Sequence, residues 1–218
     1  MYRRREFIKI GIGALASIEF FFSNLFSAAR WVYAKAQKTI LPKGTKRKSL
    51  IHRDPDSLDT RYLDVTNLKE FETMGLTDHT VNLDEWRLEI TGRVKRPLNL
   101  TYSEIRSQPS FEKEVLLICP GFFANHGRWK GIGMRNLLER ARVEKDVEWV
   151  TFLGPKGANE KVERFPIGDV ISNKVFLAYE VNGGPLPVKH GFPLRIVAEG
   201  YYGDDWVKYV YKMILEER

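Results

Sequence analysis

The sequence lacks several features that would assign it quickly to a known class. It has one cysteine among 218 residues, which excludes an internal disulfide. No Gly-x-Gly-x-x-Gly follows a predicted strand, and neither a Walker phosphate loop nor a His-Glu-x-x-His motif occurs. A Cys-x-x-Cys-His motif is also absent, so no c-type haem is attached to this sequence. The familiar dinucleotide, nucleotide, zinc-protease and cytochrome c signatures therefore do not explain the chain.

Positive charge is concentrated at one end of the chain. The formal net charge of +7 would suit a nucleic-acid-binding protein. However, residues 1–53 hold 12 Lys or Arg and two acids, whereas the remaining residues hold 23 basic and 26 acidic side chains. The body of the protein is slightly acidic, so we expect no nucleic-acid partner. A hydrophobic content of 43% over this length suits one globular domain behind a leader.

The first 36 residues have the parts of an export signal. A basic stretch is followed by an apolar segment, Ile10–Ala29, and by small residues at Ala34–Ala36, where cleavage is expected. The sequence RREFIK at Arg4–Lys9 resembles a twin-arginine signal, which predicts transport to the periplasm by the twin-arginine export machinery. The alternative is a retained N-terminal membrane anchor, although Glu19 would be costly near the centre of a bilayer.

The next segment, residues 37–61, differs in composition from the body. It is rich in Lys, Pro, Asp and Ser and has little apolar periodicity. This composition predicts a solvated linker or a segment that wraps around the domain. We therefore expect the folded domain to comprise residues 62–218.

The body predicts more strands than helices. Val115–Cys119 is a continuous apolar run, which is typical of a strand buried on both faces. Thr101, with Glu104 three positions later, forms a capping box at the start of a short helix. Other patterns predict strands at Trp86–Thr91, Val147–Leu153, Val175–Val181, Leu194–Ala198 and Val207–Leu215, and a helix at Met134–Arg142. The fold class that fits is α+β, with mixed β-sheets and short helices.

The single cysteine, Cys119, stands at the end of the apolar strand, directly before Pro120 and Gly121. A side chain at such a strand end can point into a cleft, and a thiolate is a good ligand for soft or high-valent metals. A lone cysteine is, however, more often a small buried hydrophobic residue. The residue alone leaves both interpretations open.

A family resemblance strengthens the first interpretation. Cys119 is followed by the sequence GRWKG at Gly127–Gly131, and His190–Arg195 has the pattern H-G-x-P-x-R. Together with Leu177–Gly183 and the Val207–Lys208 pair, these segments resemble the sulfite oxidase family over residues 62–217. The resemblance implies a sulfite-oxidase-type fold that binds molybdenum through molybdopterin, with Cys119 as the protein ligand to the metal.

The resemblance also implies which residues contact the cofactor. They fall on His190, Arg195 and the segment Trp206, Val207 and Lys208, where cations suit the anionic phosphate of the cofactor. A shorter match to the bacterial methionine sulfoxide reductase branch adds Asn67, Glu70 and Phe71. Ordinary structural roles stay open for several of these: Asn67 could cap a helix, His190 could cap a turn, and Arg195 and Lys208 could be solvated strand charges.

In that family the chemistry is two-electron oxygen-atom transfer at molybdenum. His126 and Arg128 follow Cys119 closely, so we expect them to face the substrate from a loop at the mouth of the site. Arg128 would then favour an oxyanion or a polarised sulfoxide oxygen. The alternatives are that Arg128 contacts the pterin and that His126 is an exposed loop residue.

Departures from the family leave the substrate open. The sequence has neither the haem domain nor the C-terminal dimerisation domain of eukaryotic-type sulfite oxidases. Electrons are therefore expected to pass through a separate cytochrome partner, either in the membrane or in the periplasm. Pro120–His126 also differs from the better-known branches. We favour reduction of a small-molecule or protein-bound sulfoxide-like substrate. Oxidation of an oxyanion, sulfite, is the near alternative, and a non-catalytic exported binding module is the alternative from another class.

Overall fold

The computed structural model describes residues 38–157 and 160–217, and the predicted signal segment, residues 1–36, lies outside the described residues. The strands are β1 Thr39–Ile40, β2 Leu58–Asp59, β3 Leu88–Gly92, β4 Leu98–Leu100, β5 Ser110–Cys119, β6 Phe123–Ile132, β7 Trp149–Leu153, β8 Val162–Pro166, β9 Val175–Val181, β10 Gly184–Pro185, β11 Arg195–Ala198 and β12 Lys212–Glu216. The helices are α1 Tyr102–Arg106, α2 Arg135–Ala141 and α3 Ile167–Ile171, with 3-10 turns at Arg47–Ser49, Pro55–Ser57, Leu68–Glu70, Val188–His190 and Gly203–Asp205.

The larger strands form two five-stranded sheets. Sheet A has the order β10-β9-β6-β5, and β11 pairs with β9 in addition. Sheet B has the order β4-β3-β12-β7-β8, in which β12 is parallel to β3 and antiparallel to β7. Sheet B is therefore mixed, the helices are short, and the predicted α+β class is confirmed.

One hydrophobic core joins the two sheets. Its buried side chains include Trp129 of sheet A and Phe152 of sheet B, together with Leu137 on the inner side of α2. Continuous apolar runs such as Val175–Val181 form central strands, because both faces of sheet A are covered. Among the residues described, no helix is long and apolar enough to cross a membrane.

A second, smaller cluster covers the outer face of the β5–β6 hairpin. The buried side chains Leu41, Leu50, Leu58 and Leu63 pack there against Leu116, Ile118 and Ala124. We call residues 41–66 the wrapping segment. Burial of its leucines removes apolar surface from water on a face that would otherwise be exposed. Among the described residues, packing against the hairpin thus already includes Leu41, which lies in the predicted linker or wrapping segment, residues 37–61.

Local predictions were confirmed where the signal lies within a few residues. The backbone N of Thr101 donates to Glu104 Oε2 at 2.9 Å, and the Glu104 N donates to Thr101 Oγ1 at 3.2 Å, which completes the predicted capping box. The predicted strand at Val207–Leu215 is wrong in its first half. Tyr209 adopts a left-handed conformation with φ of 55°, so regular pairing starts only at Lys212.

Candidate functional site

A cavity of about 380 Å³ opens beside the end of the β5–β6 hairpin. Its floor comes from β5 and β6, and one wall comes from the chain around His190, Arg195 and Trp206–Tyr209. Residues 72–76, which we call the covering segment, close another side. The volume is within the range of small-molecule and cofactor sites.

Strand alternation decides which side chains of the hairpin reach this cavity. Leu117, Cys119, Phe123, Asn125 and Trp129 line it, and they occupy alternate positions on the two paired strands. Because successive side chains of a strand point to opposite faces, the residues between them cannot reach the same space. Cys119 pairs with Phe123 across the hairpin and is the last residue of β5.

The thiol of Cys119 is only partly buried in the cavity. Burial raises its pKa, and the negative charge of Asp204 raises it further. The Sγ atom lies 3.3 Å from Sδ of Met74 in the covering segment. Coordination of a metal would overcome this raised pKa, because a metal ion deprotonates the thiol that binds it.

Arg195 is a buried cation without an acidic partner. Its side chain is 4% exposed, and within the described ranges no carboxylate forms an ion pair with it. Its Nη1 donates to the carbonyl oxygen of His190 at 3.0 Å, and its guanidinium lies 4.9 Å from the ring centre of Trp129. Burial lowers the pKa of Arg195 to about 9. Such a charge is costly unless an anion faces it.

Lys208 is a second cation on the same wall. Its Nζ donates to the carbonyl oxygens of Met74 at 2.9 Å, Lys189 at 3.2 Å and Leu76, and to Thr73 Oγ1 at 3.3 Å. Burial, and then the nearby positive charge of Arg195, lower the pKa of Lys208 to about 8. No carboxylate pairs with Lys208 in the part of the chain that the structure describes.

Two further polar groups on this wall have no protein partner. Nε2 of His190 and Nε1 of Trp206 are buried and make no hydrogen bond with the described residues. Burial, followed by the charges of Arg195, Lys189 and Lys208, lowers the pKa of His190 to about 4, so the imidazole is neutral at pH 7. Buried polar atoms are nearly always paired in folded proteins, so these two point to a ligand.

These features fit molybdopterin with molybdenum. The buried Arg195 and the partly buried Lys208, which form no ion pair with the described residues, suit the phosphate of the cofactor. Guanidinium and ammonium groups bind phosphate by charge-assisted hydrogen bonds. The unpartnered nitrogens of His190 and Trp206 provide further polar contacts. Cys119 supplies one thiolate in the same cavity. The cations and the unpartnered nitrogens thus suit an anionic organic group, and the one cysteine suits a metal that this group carries.

The predicted substrate-facing residues lie elsewhere. The prediction of a loop after Cys119 is wrong, because His126 and Arg128 belong to strand β6 and point away from the cavity. His126 is fully buried under the wrapping segment, where its backbone N donates to Thr66 Oγ1 at 2.9 Å. Arg128 is exposed and forms an ion pair with Glu114 at 3.2 Å.

Of the three residues predicted from the shorter match, only Phe71 lines the cavity. Asn67 caps the 3-10 turn Leu68–Glu70 by accepting from the Lys69 N at 3.0 Å, which is the ordinary role left open for it. Glu70 is exposed and pairs with Arg47 at 2.7 Å. Val207 is buried in the core behind the cavity wall and does not line it.

Sequence reasoning missed the covering segment, Asn125 and Asp204. Asn125 holds the covering segment in place: its Nδ2 donates to the Glu72 carbonyl oxygen at 2.8 Å, and its Oδ1 accepts from the Glu72 N at 3.3 Å. Strand alternation from Cys119 through Phe123 would have pointed to Asn125. Nothing in the sequence marks residues 72–76 or Asp204, because long-range packing brings them to the cavity.

Comparison with known proteins identifies the class. The sequence profile of the oxidoreductase molybdopterin-binding domain family matches residues 75–218, about two thirds of the chain. The chain therefore belongs to this family. This confirms the predicted class of enzyme, a molybdenum-dependent oxidoreductase of the sulfite oxidase type, and its predicted cofactor, molybdopterin with molybdenum.

Two relatives show how much of this chain is similar to known oxidoreductases. The NADH nitrate reductase of Lotus japonicus is 30% identical over 164 residues, which is 62% of this chain but 18% of the nitrate reductase. The uncharacterized oxidoreductase YuiH of Bacillus subtilis (strain 168) is 28% identical over 122 residues, covering 56% of this chain and 60% of YuiH. This chain therefore spans less than two thirds of the length of either relative.

A solved structure has the same fold. The sulfane dehydrogenase SoxCD of Paracoccus pantotrophus superposes with a TM-score of 0.60 and 24% sequence identity, over 64% of this chain and 40% of that chain. At this identity the likeness concerns the fold alone. It confirms the predicted sulfite-oxidase-type fold.

Proposed function

We propose that this protein reduces a sulfoxide-like substrate by two-electron oxygen-atom transfer, with electrons from a separate cytochrome. The observation that carries the proposal is the joint placement, in one cavity, of a thiol and of one buried and one partly buried cation that have no acidic partner among the described residues. Cys119 provides the first, and Arg195 and Lys208 provide the second. When bound, molybdopterin supplies a molybdenum centre that cycles between its +6 and +4 states.

Each side chain has a role that follows from its surroundings. The thiolate of Cys119 would bind the metal, and Arg195 and Lys208 would hold the cofactor phosphate. The neutral His190 would exchange a hydrogen bond with the pterin through Nε2, and Trp206 would donate one through Nε1. Cys119 and Trp206 pack against the hydrophobic core. His190 and Arg195 are themselves buried, so the surrounding protein helps to hold them in position.

The preference for a sulfoxide draws on the surroundings of Cys119. Leu117 and Phe123 flank the thiol inside the cavity, and Met74 covers it. Such apolar side chains suit the organic groups attached to a sulfoxide sulfur more than they suit a small oxyanion. Arg128, the cation predicted to bind an oxyanion, is directed to the opposite side of the hairpin.

Electron supply and location complete the proposal. The resemblance of Arg4–Lys9 to a twin-arginine signal supports a periplasmic enzyme, with a retained membrane anchor as the alternative. A periplasmic cytochrome or one held in the membrane would then deliver electrons. Fractionation of cells that produce the full chain, with immunodetection in periplasm and membrane, distinguishes the two locations.

The test begins with composition and continues with turnover. Protein purified from a host that makes molybdopterin is analysed for molybdenum and pterin per chain. It is then assayed for sulfoxide reduction with a reduced viologen as the electron donor and for sulfite oxidation with ferricyanide as the acceptor. We expect equimolar molybdenum and pterin, and sulfoxide reduction. If sulfite oxidation is faster than sulfoxide reduction, sulfite replaces the sulfoxide as the proposed substrate. If the protein contains neither molybdenum nor pterin, the alternative of a non-catalytic binding module replaces the proposed enzyme.

A further inference from the structure

Charge is distributed unevenly between the depth and the mouth of the cavity. Arg195 is buried and Lys208 is partly buried, and we call them the deep cations, whereas the exposed side chains that line the cavity, at its mouth, include Asp204 and Glu160. Lys161 also lines the opening, but its ammonium is paired with the carboxylate of Glu163. The mouth therefore carries excess negative charge.

Close packing fixes the position of Asp204 beside Cys119. Asp204 belongs to the 3-10 turn Gly203–Asp205, which lies against the end of β5. A Cβ on Gly203 would lie 2.8 Å from Leu117 Cδ2 and 3.2 Å from the carbonyl oxygen of Ile118, so the turn packs closely against β5. Leu117 and Cys119 are neighbours on the same face of β5, and the charge of Asp204 acts on the Cys119 thiol.

The negative charge at the mouth is compensated only in part, by Lys161, whose ammonium is shared between Glu163 and Asp205. Within residues 38–157 and 160–217, Asp204 forms no ion pair, and the adjacent Asp205 adds a second carboxylate. The deep cations do not offset it for a substrate, because the cofactor phosphate would already occupy them. The unpartnered nitrogens of His190 and Trp206 also lie on that deep wall. An anion that approaches Cys119 thus meets a carboxylate first.

We infer that Asp204 selects substrates by charge. It disfavours oxyanions such as sulfite and nitrate, and it admits neutral or cationic molecules that carry a transferable oxygen, such as sulfoxides and N-oxides. This inference rests on the proposed function, since it concerns access to the same metal site. The physical cause is repulsion of like charges at the entrance to a cleft, where protein walls reduce screening by water.

The experiment uses the holoenzyme and three variants. Asp204→Asn removes the charge, and Asp204→Glu keeps it. Asp84→Asn removes an equal charge from an exposed residue that does not line the cavity. Molybdenum and pterin content are measured first. The dissociation constant of nitrate is then determined from the optical absorption of the metal centre, without turnover, at low and high ionic strength. The value of kcat/KM for dimethyl sulfoxide is measured alongside.

We expect Asp204→Asn to bind nitrate about tenfold more tightly at low ionic strength, with a smaller gain at high salt. Asp204→Glu and Asp84→Asn should bind nitrate as the wild type does. The value of kcat/KM for the neutral sulfoxide should change by less than about twofold in Asp204→Asn, since electrostatic steering acts on charged ligands.

The outcomes separate this inference from the proposed function. Equal nitrate affinity in wild type and Asp204→Asn, with full cofactor content, would overturn the role of Asp204 even if sulfoxide is reduced. The expected nitrate response without sulfoxide reduction in any variant would overturn the proposed substrate and leave Asp204 as the selecting residue. Loss of cofactor from Asp204→Asn but not from Asp204→Glu would assign Asp204 to cofactor retention instead. Wild-type protein without cofactor would overturn both.

Discussion

The two faces of the β5–β6 hairpin are made from alternate residues of the same strands, yet they meet different surroundings. One face carries Leu117, Cys119 and Phe123 into the cavity. The other carries Leu116 and Ile118 under the wrapping segment, where they pack against its buried leucines. Residues that line the cavity and residues that pack under the wrapping segment thus alternate along each strand. Proximity to Cys119 in sequence is therefore a poor guide to membership of the site.

The largest expected effect is on the cavity face. Cys119→Ser should abolish turnover while the protein stays folded, because serine is nearly isosteric but its hydroxyl is a far poorer ligand for this metal. Turnover with artificial electron donors and acceptors measures the first effect, and thermal unfolding of the apo-protein measures the second. Wild-type activity in this variant would show that Cys119 is not the metal ligand.

Cofactor retention should separate Arg195 from an arginine on the outer face. Arg195→Ala removes charge-assisted hydrogen bonds worth about 1.5–3 kcal/mol each, which corresponds to roughly ten- to hundredfold weaker binding of the cofactor. The apo-protein should lose little stability, because removal of an unpaired buried cation offsets the lost packing.

Pterin per chain and the apo melting temperature are measured side by side. The matched control is Arg128→Ala, on the same hairpin but paired with Glu114 outside the cavity, and it should keep its pterin. Equal pterin loss in both variants would contradict the division between the two faces. Unchanged pterin in Arg195→Ala would remove this residue from the cofactor site.

The outer face should show the opposite pattern. Ile118 is fully buried against the wrapping segment, so Ile118→Ala should destabilise the protein by about 2–5 kcal/mol. Pterin per folded chain should stay at the wild-type value, because Ile118 does not line the cavity. Denaturant unfolding and pterin analysis check these two expectations. Loss of pterin without loss of stability in this variant would show that cofactor binding and stability are not divided between the two faces of the hairpin.

The smallest effect concerns pH. His190 has a folded-state pKa of about 4 against an ordinary value of 6.5, so between these values the unfolded chain binds more protons. Stability of the apo-protein should therefore fall as the pH is lowered from about 6.5 to about 4, by at most about 3 kcal/mol from this group. The measurement is denaturant unfolding across this range in wild type and His190→Gln.

His126 on the outer face also has a pKa lowered by burial, so a residual slope is expected in the variant. The difference between the two profiles isolates His190. Identical profiles would show that His190 does not contribute to the pH dependence.

Local signals predicted much of the fold. The capping box at Thr101 and the apolar run Val175–Val181 depend on neighbouring residues, and both were confirmed, the strand with its bounds unchanged. Val207–Leu215 shows the limit of such signals. Its alternation of apolar and polar residues favours a strand, but Tyr209 adopts a positive φ, and the Val207 carbonyl oxygen accepts from the Ile196 N at 2.8 Å. Tertiary contacts overrode the local pattern there.

The site could be predicted where residues carry a family pattern, and not where packing brings them together. Cys119, His190 and Arg195 were predicted from the family pattern, and all three line one cavity in the structure. His126 was placed near the metal because it is close in sequence, but the period of two in a strand turns it to the other face. Asp204 has no sequence signal, since its position depends on the contact between Gly203 and β5.

The hydrogen bonds of Lys208 have a consequence for the thermodynamics of anion binding. Its Nζ already donates to main-chain oxygens of Met74 and Lys189 and to the hydroxyl of Thr73. A phosphate that binds this ammonium group exchanges acceptors and does not simply add one. The affinity of the cavity for an anion is therefore the difference between two sets of hydrogen bonds. The main chain of the covering segment acts as an internal competitor, so its residues influence the dissociation constant through the contacts they give up.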